Sequence, residues 1–119
     1  NYKISSSFIS GGELAKFRAE TDILIQLQKS DAMSAAMLES LYAGAKVITG
    51  TWLPYDELRA KGVDWFEIDK ISDLGAELER VLDARVSSNI NKKIVNDICG
   101  WDAVMPRWTD LYYVFVNTT

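Results

Sequence analysis

The sequence predicts an α/β fold in which a short, doubly wound parallel sheet is flanked by helices. Two observations carry this. A branched apolar run, a helical run and a second apolar run fall within about thirty residues, Thr21 to Thr49, the dimensions of a right-handed βαβ unit. The alternation then continues with a third strand and further helices, and no internal repeat, low-complexity tract or linker interrupts it.

At the front, Phe8-Ile9 ends a short extended segment, a candidate fourth strand, and Ser10-Gly11-Gly12 breaks it. Glu13 to Ala19 reads as a short helix with Leu14 and Phe17 on one face. Thr21 to Leu27 is a strand because Ile23 to Leu27 is mostly branched and apolar. Ser30 or Asp31 then caps a helix from about Ala32 to Ala43, apolar on more than one side through Met33, Met37, Leu38 and Leu41. Gly44 supplies a left-handed stop, and Lys46 to Thr49 is the second strand.

Pro54 opens a short helix through Tyr55 to Lys61 that Gly62 ends, and Val63 to Ile68 is the third strand. Ser72 caps a helix carrying Ile71, Leu74, Leu78, Val81 and Leu82 at three- and four-residue steps. Asn89 to Ile98 gives another amphipathic helix, closed by Gly100. The last helix lies within Asp102 to Asn117, and Pro106 is a natural first residue for it.

Composition narrows the chemistry. With 48% apolar residues and a quarter charged, the 119-residue chain suits one globular domain. A net charge of −4 without a basic run argues against gripping nucleic-acid phosphates; Lys92-Lys93 reads as a solvated face. The absence of histidine removes histidine acid–base catalysis and most transition-metal sites. The single cysteine, Cys99, has no partner for an internal disulfide and reads as a packed core thiol. No apolar run approaches the roughly twenty residues that span a bilayer. The chain opens Asn1-Tyr2-Lys3, which reads as a piece of something longer.

Ligands of open parallel sheets bind beyond the carboxyl ends of the strands, here the loops Gln28 to Asp31 and Gly50 to Pro54. The first runs into a helix N-terminus, where free N–H groups and the dipole favour an anion. Small residues at 32, 34, 35 and 36 let a phosphate or sugar approach the backbone. Asp31 and Glu39 frame this helix, roughly 12 Å apart at the helical rise of 1.5 Å per residue. Two carboxylates at that spacing suit the two ends of a nucleoside diphosphate sugar, since carboxylates accept paired bonds from vicinal hydroxyls. The plainer alternative stays open: Asp31 as a helix cap and Glu39 as a solvated residue. Against it, Glu39 interrupts an otherwise apolar helix, where a carboxylate is costly without a partner.

The run Thr21-Asp22-Ile23-Leu24-Ile25, then Ser30-Asp31, then Met37 to Thr49 resembles the core of group 1 (family four) glycosyltransferases. In that family a buried strand leads to a glutamate, seven residues, a second glutamate and then an alanine-x-x-x-glycine-x-proline-valine-like turn into the next strand. Here the pair is Asp31 and Glu39, with seven residues between them. Leu53-Pro54-Tyr55-Asp56-Glu57-Leu58 and Ile71-Ser72-Asp73-Leu74 follow in the family's order, and Gly100-Trp101-Asp102 with Trp108 and Tyr112 resembles the tail that crosses back to the N-terminal domain. The Trp52 to Tyr55 stretch is similar in style to bacterial capsule and surface-polysaccharide enzymes.

The resemblance implies a partial Rossmann-like sheet, the second half of the C-terminal domain of a two-domain (GT-B) enzyme. Its activity would be retaining transfer of a sugar from a nucleoside diphosphate sugar to a glycan or lipid-linked acceptor, without cofactor or metal. Asp31, Ala32, Met33 and Ser34 would face the donor sugar, and Glu39 the ribose. The acceptor domain, the basic residues that neutralise the diphosphate and the missing strands would precede Asn1, so the isolated chain would be inert. The resemblance also implies a cytoplasmic enzyme, with peripheral association at the inner face of the membrane.

Aspartate in place of the usual first glutamate shortens the reach to the sugar, and Ser34 replaces a customary glycine and narrows the space. A different class of reading is a non-catalytic α/β interaction or regulatory module, with the tail aromatics serving a partner. A dinucleotide enzyme is disfavoured, because no glycine-x-glycine-x-x-glycine turn follows a strand.

Overall fold

The computed structural model describes residues 2 and 4–118. Its centre is the strand Lys46–Gly50 (β2), which pairs in parallel with Ile23–Gln26 (β1) on one side and Phe66–Ile68 (β3) on the other. The sheet order is β1-β2-β3, all parallel, with helices on both faces. The helices are α1 (Gly11–Ala19), α2 (Ala35–Ala43), α3 (Asp56–Ala60), α4 (Leu74–Asp83), α5 (Ser88–Cys99) and α6 (Trp101–Asn117).

Alternation along β2 builds both halves of the core. Val47 points into a cluster with Met37 and Leu41 of α2, Leu53, Tyr55, Leu58 of α3, and Ile94 and Val95 of α5. Ile48 points the other way, to Phe66, Ile68 and Val81 of α4. A central strand buried on both faces reads as an apolar run, which is why β2 is evident in the sequence. Two polar fastenings tie the layers. Lys46 Nζ donates to the Val81 and Leu82 carbonyls, both at 2.8 Å, so a cation closes the C-terminal end of α4. The fully buried Asn91 of α5 grips the backbone of Asp64: Nδ2 donates to the carbonyl and Oδ1 accepts from the amide, each at 2.8 Å.

Gly44 stops α2 in the left-handed region, with φ of 96°, where a side chain would be strained. Other boundaries move. The helix expected from Ala32 begins at Ala35, and Ser34, not Ser30 or Asp31, is its cap: Ser34 Oγ accepts from the Met37 amide at 3.3 Å. β3 is Phe66–Ile68 rather than Val63 to Ile68, because Val63 and Asp64 turn the chain under Asn91. Ser72 does not cap α4; it lies in a 3₁₀ turn, Ile71–Asp73, ahead of it. No fourth strand forms near Phe8-Ile9 among the described residues.

α6 departs most from expectation. It starts at Trp101 and carries Pro106 inside it, where the ring offers no amide to the Asp102 carbonyl. Its main neighbour is α5, joined through Gly100 alone. The molecule measures 58 × 33 × 28 Å. None of the described α6 residues is buried, so its aromatics lie outside the core. No helix among the described residues is long and apolar enough to cross a membrane.

Candidate functional site at the strand ends

Parallel register places Gln26, Thr49 and Glu67 side by side on β1, β2 and β3, at the carboxyl end of the sheet. All three lie on the face that Val47 shares with α2, α3 and α5. Over this polar row sit the loop from Gln28 to Ser34, the loop after β2, and α3.

Asp31 is held to this row. Tyr55 Oη donates to Asp31 Oδ2 at 2.5 Å, and Gln26 Nε2 donates to the same oxygen at 3.3 Å. Gln26 also bonds the Gln28 side chain, and Trp52 Nε1 donates to the Gln28 carbonyl at 2.8 Å. Tyr55 is fully buried, and burial first, then its bond to Asp31, pushes its pKa up to about 12. The phenol therefore stays a donor at any ordinary pH. Asp31 keeps Oδ1 without a hydrogen bond among the described residues.

Arg59 organises the other end of the row. Nε donates to Glu67 Oε1 at 2.7 Å; Nη1 reaches the Leu53 carbonyl and Asp56 Oδ1, both at 2.9 Å. Burial works against its charge, and the Glu67 and Asp56 carboxylates more than offset that, so its pKa is raised. This guanidinium shapes the loop after β2. Thr49 Oγ1, between Gln26 and Glu67, is buried without a partner, as is Ser40 Oγ on α2.

Glu39 belongs to a separate place. Its Oε2 accepts from Arg18 Nε at 3.0 Å, and its side chain is half exposed. The pair lies on the wall of an apolar groove of about 520 Å³ between α1, α2 and α5. Leu14, Leu38, Tyr42 and Val95 line the groove; Asp31 does not. Cys99 is on its rim, exposed, with Sγ donating to the Val95 carbonyl at 3.2 Å. That corrects the reading of a core thiol: the buried stripe of α5 is Asn91, Ile94 and Val95, and Cys99 falls outside it.

Asp31 and Glu39 are thus engaged with different partners. The distance argued from a continuous helix does not hold, because residues 31–34 are loop and only Glu39 lies on α2. Ala32, Met33 and Ser34 sit in that loop, so the amides at the helix start are those of Ala35 and Ala36. The sequence reading missed Gln26 and Tyr55 as polar partners of Asp31. The signal was present: a glutamine closing an apolar strand and a tyrosine just after Pro54 are both polar groups at strand ends. No protein-family model, curated protein or solved structure matches this chain.

Proposed function

We propose that the chain is the nucleotide-sugar-binding part of a retaining glycosyltransferase, its sheet half of a Rossmann-like, doubly wound domain. The observation that carries this reading is Asp31. It sits beyond the carboxyl end of a parallel strand, just ahead of a helix start, fastened through Oδ2 with Oδ1 left to accept. A sugar or ribose hydroxyl is the natural donor to such an oxygen. The amides of Ala35 and Ala36 and the positive end of α2 suit a phosphate nearby. The loop of Ala32, Met33 and Ser34 would wrap the sugar. Glu39 would take ribose hydroxyls by exchanging its Arg18 partner for them. Catalysis in such a domain is positioning together with stabilisation of charge on the departing diphosphate. The glycan or lipid-linked acceptor, the cytoplasmic setting and a role in surface polysaccharide synthesis follow from the same reading.

Calorimetric titration with UDP, GDP and their sugars tests it, with Asp31→Asn and Glu39→Ala alongside. The expected result is saturable binding that each substitution weakens about tenfold, near 1.4 kcal/mol. Binding indifferent to both substitutions overturns the reading, as does absence of binding at millimolar nucleotide once the basic residues that the reading places ahead of Asn1 are restored.

A second reading, a non-catalytic interaction module, is favoured by one observation, the exposed aromatics of α6. In that case neither substitution affects any nucleotide interaction.

A further inference from the structure

The α6 sequence places Trp101, Met105, Trp108 and Tyr112 at steps of four, three and four residues, the spacing of a two-helix seam. Val104 and Leu111 flank that line, while Arg107 and Asp110 fall outside the stripe. Trp101, Trp108 and Tyr112 are 79, 63 and 69% exposed. At 150–250 Å² for each aromatic residue, these three alone offer roughly 400 Å² per copy. Met105 and Leu111, each about half exposed, extend the strip toward the ~800 Å² that a standard interface takes from each partner.

We propose that two copies of this chain associate through α6, the helices crossing antiparallel with Trp108 near the two-fold axis. The inference does not rest on the nucleotide-sugar reading, under which this tail would instead pack on the N-terminal domain. Two features select a second copy. The stripe is its own complement: it is apolar along its length, so pairing it with itself brings no like charges together. The sheet is attached at the N-terminal end of α6 only, so antiparallel crossing carries the two sheets to opposite ends without collision. A bilayer surface fits less well, because α6 carries two aspartates against one arginine and lacks the basic flank that anionic lipids attract.

Sedimentation equilibrium of the intact chain tests the proposal. The wild type is expected at about twice the 13.4 kDa chain mass at tens of micromolar, dissociating on dilution. Trp108→Glu, which places two charges at the axis, is expected at the monomer mass with unchanged far-UV circular dichroism. Tyr112→Glu is the second seam variant, read in the same way should Trp108→Glu lose its helical signal. Asp110→Lys, off the seam, is expected to remain dimeric. A monomeric wild type, a polydisperse aggregate, or a dimer that survives both seam variants overturns the proposal. A monomer that floats with phosphatidylcholine vesicles overturns it in favour of a lipid surface.

Discussion

Tyr55 and Asp31 lie 24 residues apart in sequence, yet the phenol donates to the carboxylate at 2.5 Å beneath the strand ends. This bond fixes the loop between β1 and α2 against the loop between β2 and α3. Tyr55→Phe keeps the ring and removes the donor. The expected loss is about 1–2 kcal/mol in urea unfolding, because Asp31 loses its shorter contact.

The same bond sets a pH dependence. The folded phenol titrates near 12, above its unfolded value near 10. A group whose pKa is raised on folding contributes fully below its unfolded pKa and loses that contribution as pH rises toward the folded value. Stability should therefore fall between about pH 10 and pH 12, by roughly 2–3 kcal/mol for a shift of that size. Tyr55→Phe should flatten this stretch of the curve, measured by denaturant unfolding at stepped pH.

Glu39→Ala separates ligand binding from folding. The Arg18–Glu39 pair is half exposed on its acidic side, so its removal should change stability by less than about 0.5 kcal/mol. Nucleotide affinity, measured on the same sample, should fall about tenfold under the proposed function. A large loss of stability would instead make Glu39 a structural residue.

Asn91 should matter far more than its place on an amphipathic helix suggests. Asn91→Leu fills the volume but orphans the amide and carbonyl of Asp64, both held at 2.8 Å. The expected cost is about 2–4 kcal/mol, read as a lowered denaturant midpoint. Thr49→Val should do the opposite. Its hydroxyl is buried without a partner, so an isosteric apolar side chain should raise stability by about 1 kcal/mol.

What could be read from the sequence was what local pattern encodes. β1 and β2 were legible as branched apolar runs, and the Gly44 stop because only a left-handed residue fits there. The start of α2 was not. Ala32, Met33 and Ser34 suit a helix as well as Ala35 does, and the choice falls to the Ser34 cap and to Asp31 being drawn toward Tyr55. The second of these is a contact between distant residues that no window of sequence contains. Asp31 itself was legible as a carboxylate at a strand end. Its supports were not, because Gln26 reads as the last residue of a strand and Tyr55 as part of an apolar loop. Pro106 misled in the other direction: as a helix breaker it suggested a start, while the first turns of α6 form on the Gly100 carbonyl, which accepts from Ala103 and Val104 at 3.0 Å.

Gly100 serves two helices at once. Its amide closes α5 on the Asn96 carbonyl at 2.9 Å while its carbonyl opens α6, and a Cβ there would sit 2.6 Å from the Asn96 oxygen. Its torsions, φ −63° and ψ 148°, are open to any residue, so the demand for glycine is purely one of space. The result is a lever with a single-residue fulcrum. The arm beyond it is 17 residues, about 25 Å at the helical rise. A turn of some 20° at this one position carries the far end about 9 Å. The bearing of every α6 aromatic relative to the sheet is thus set by two dihedral angles.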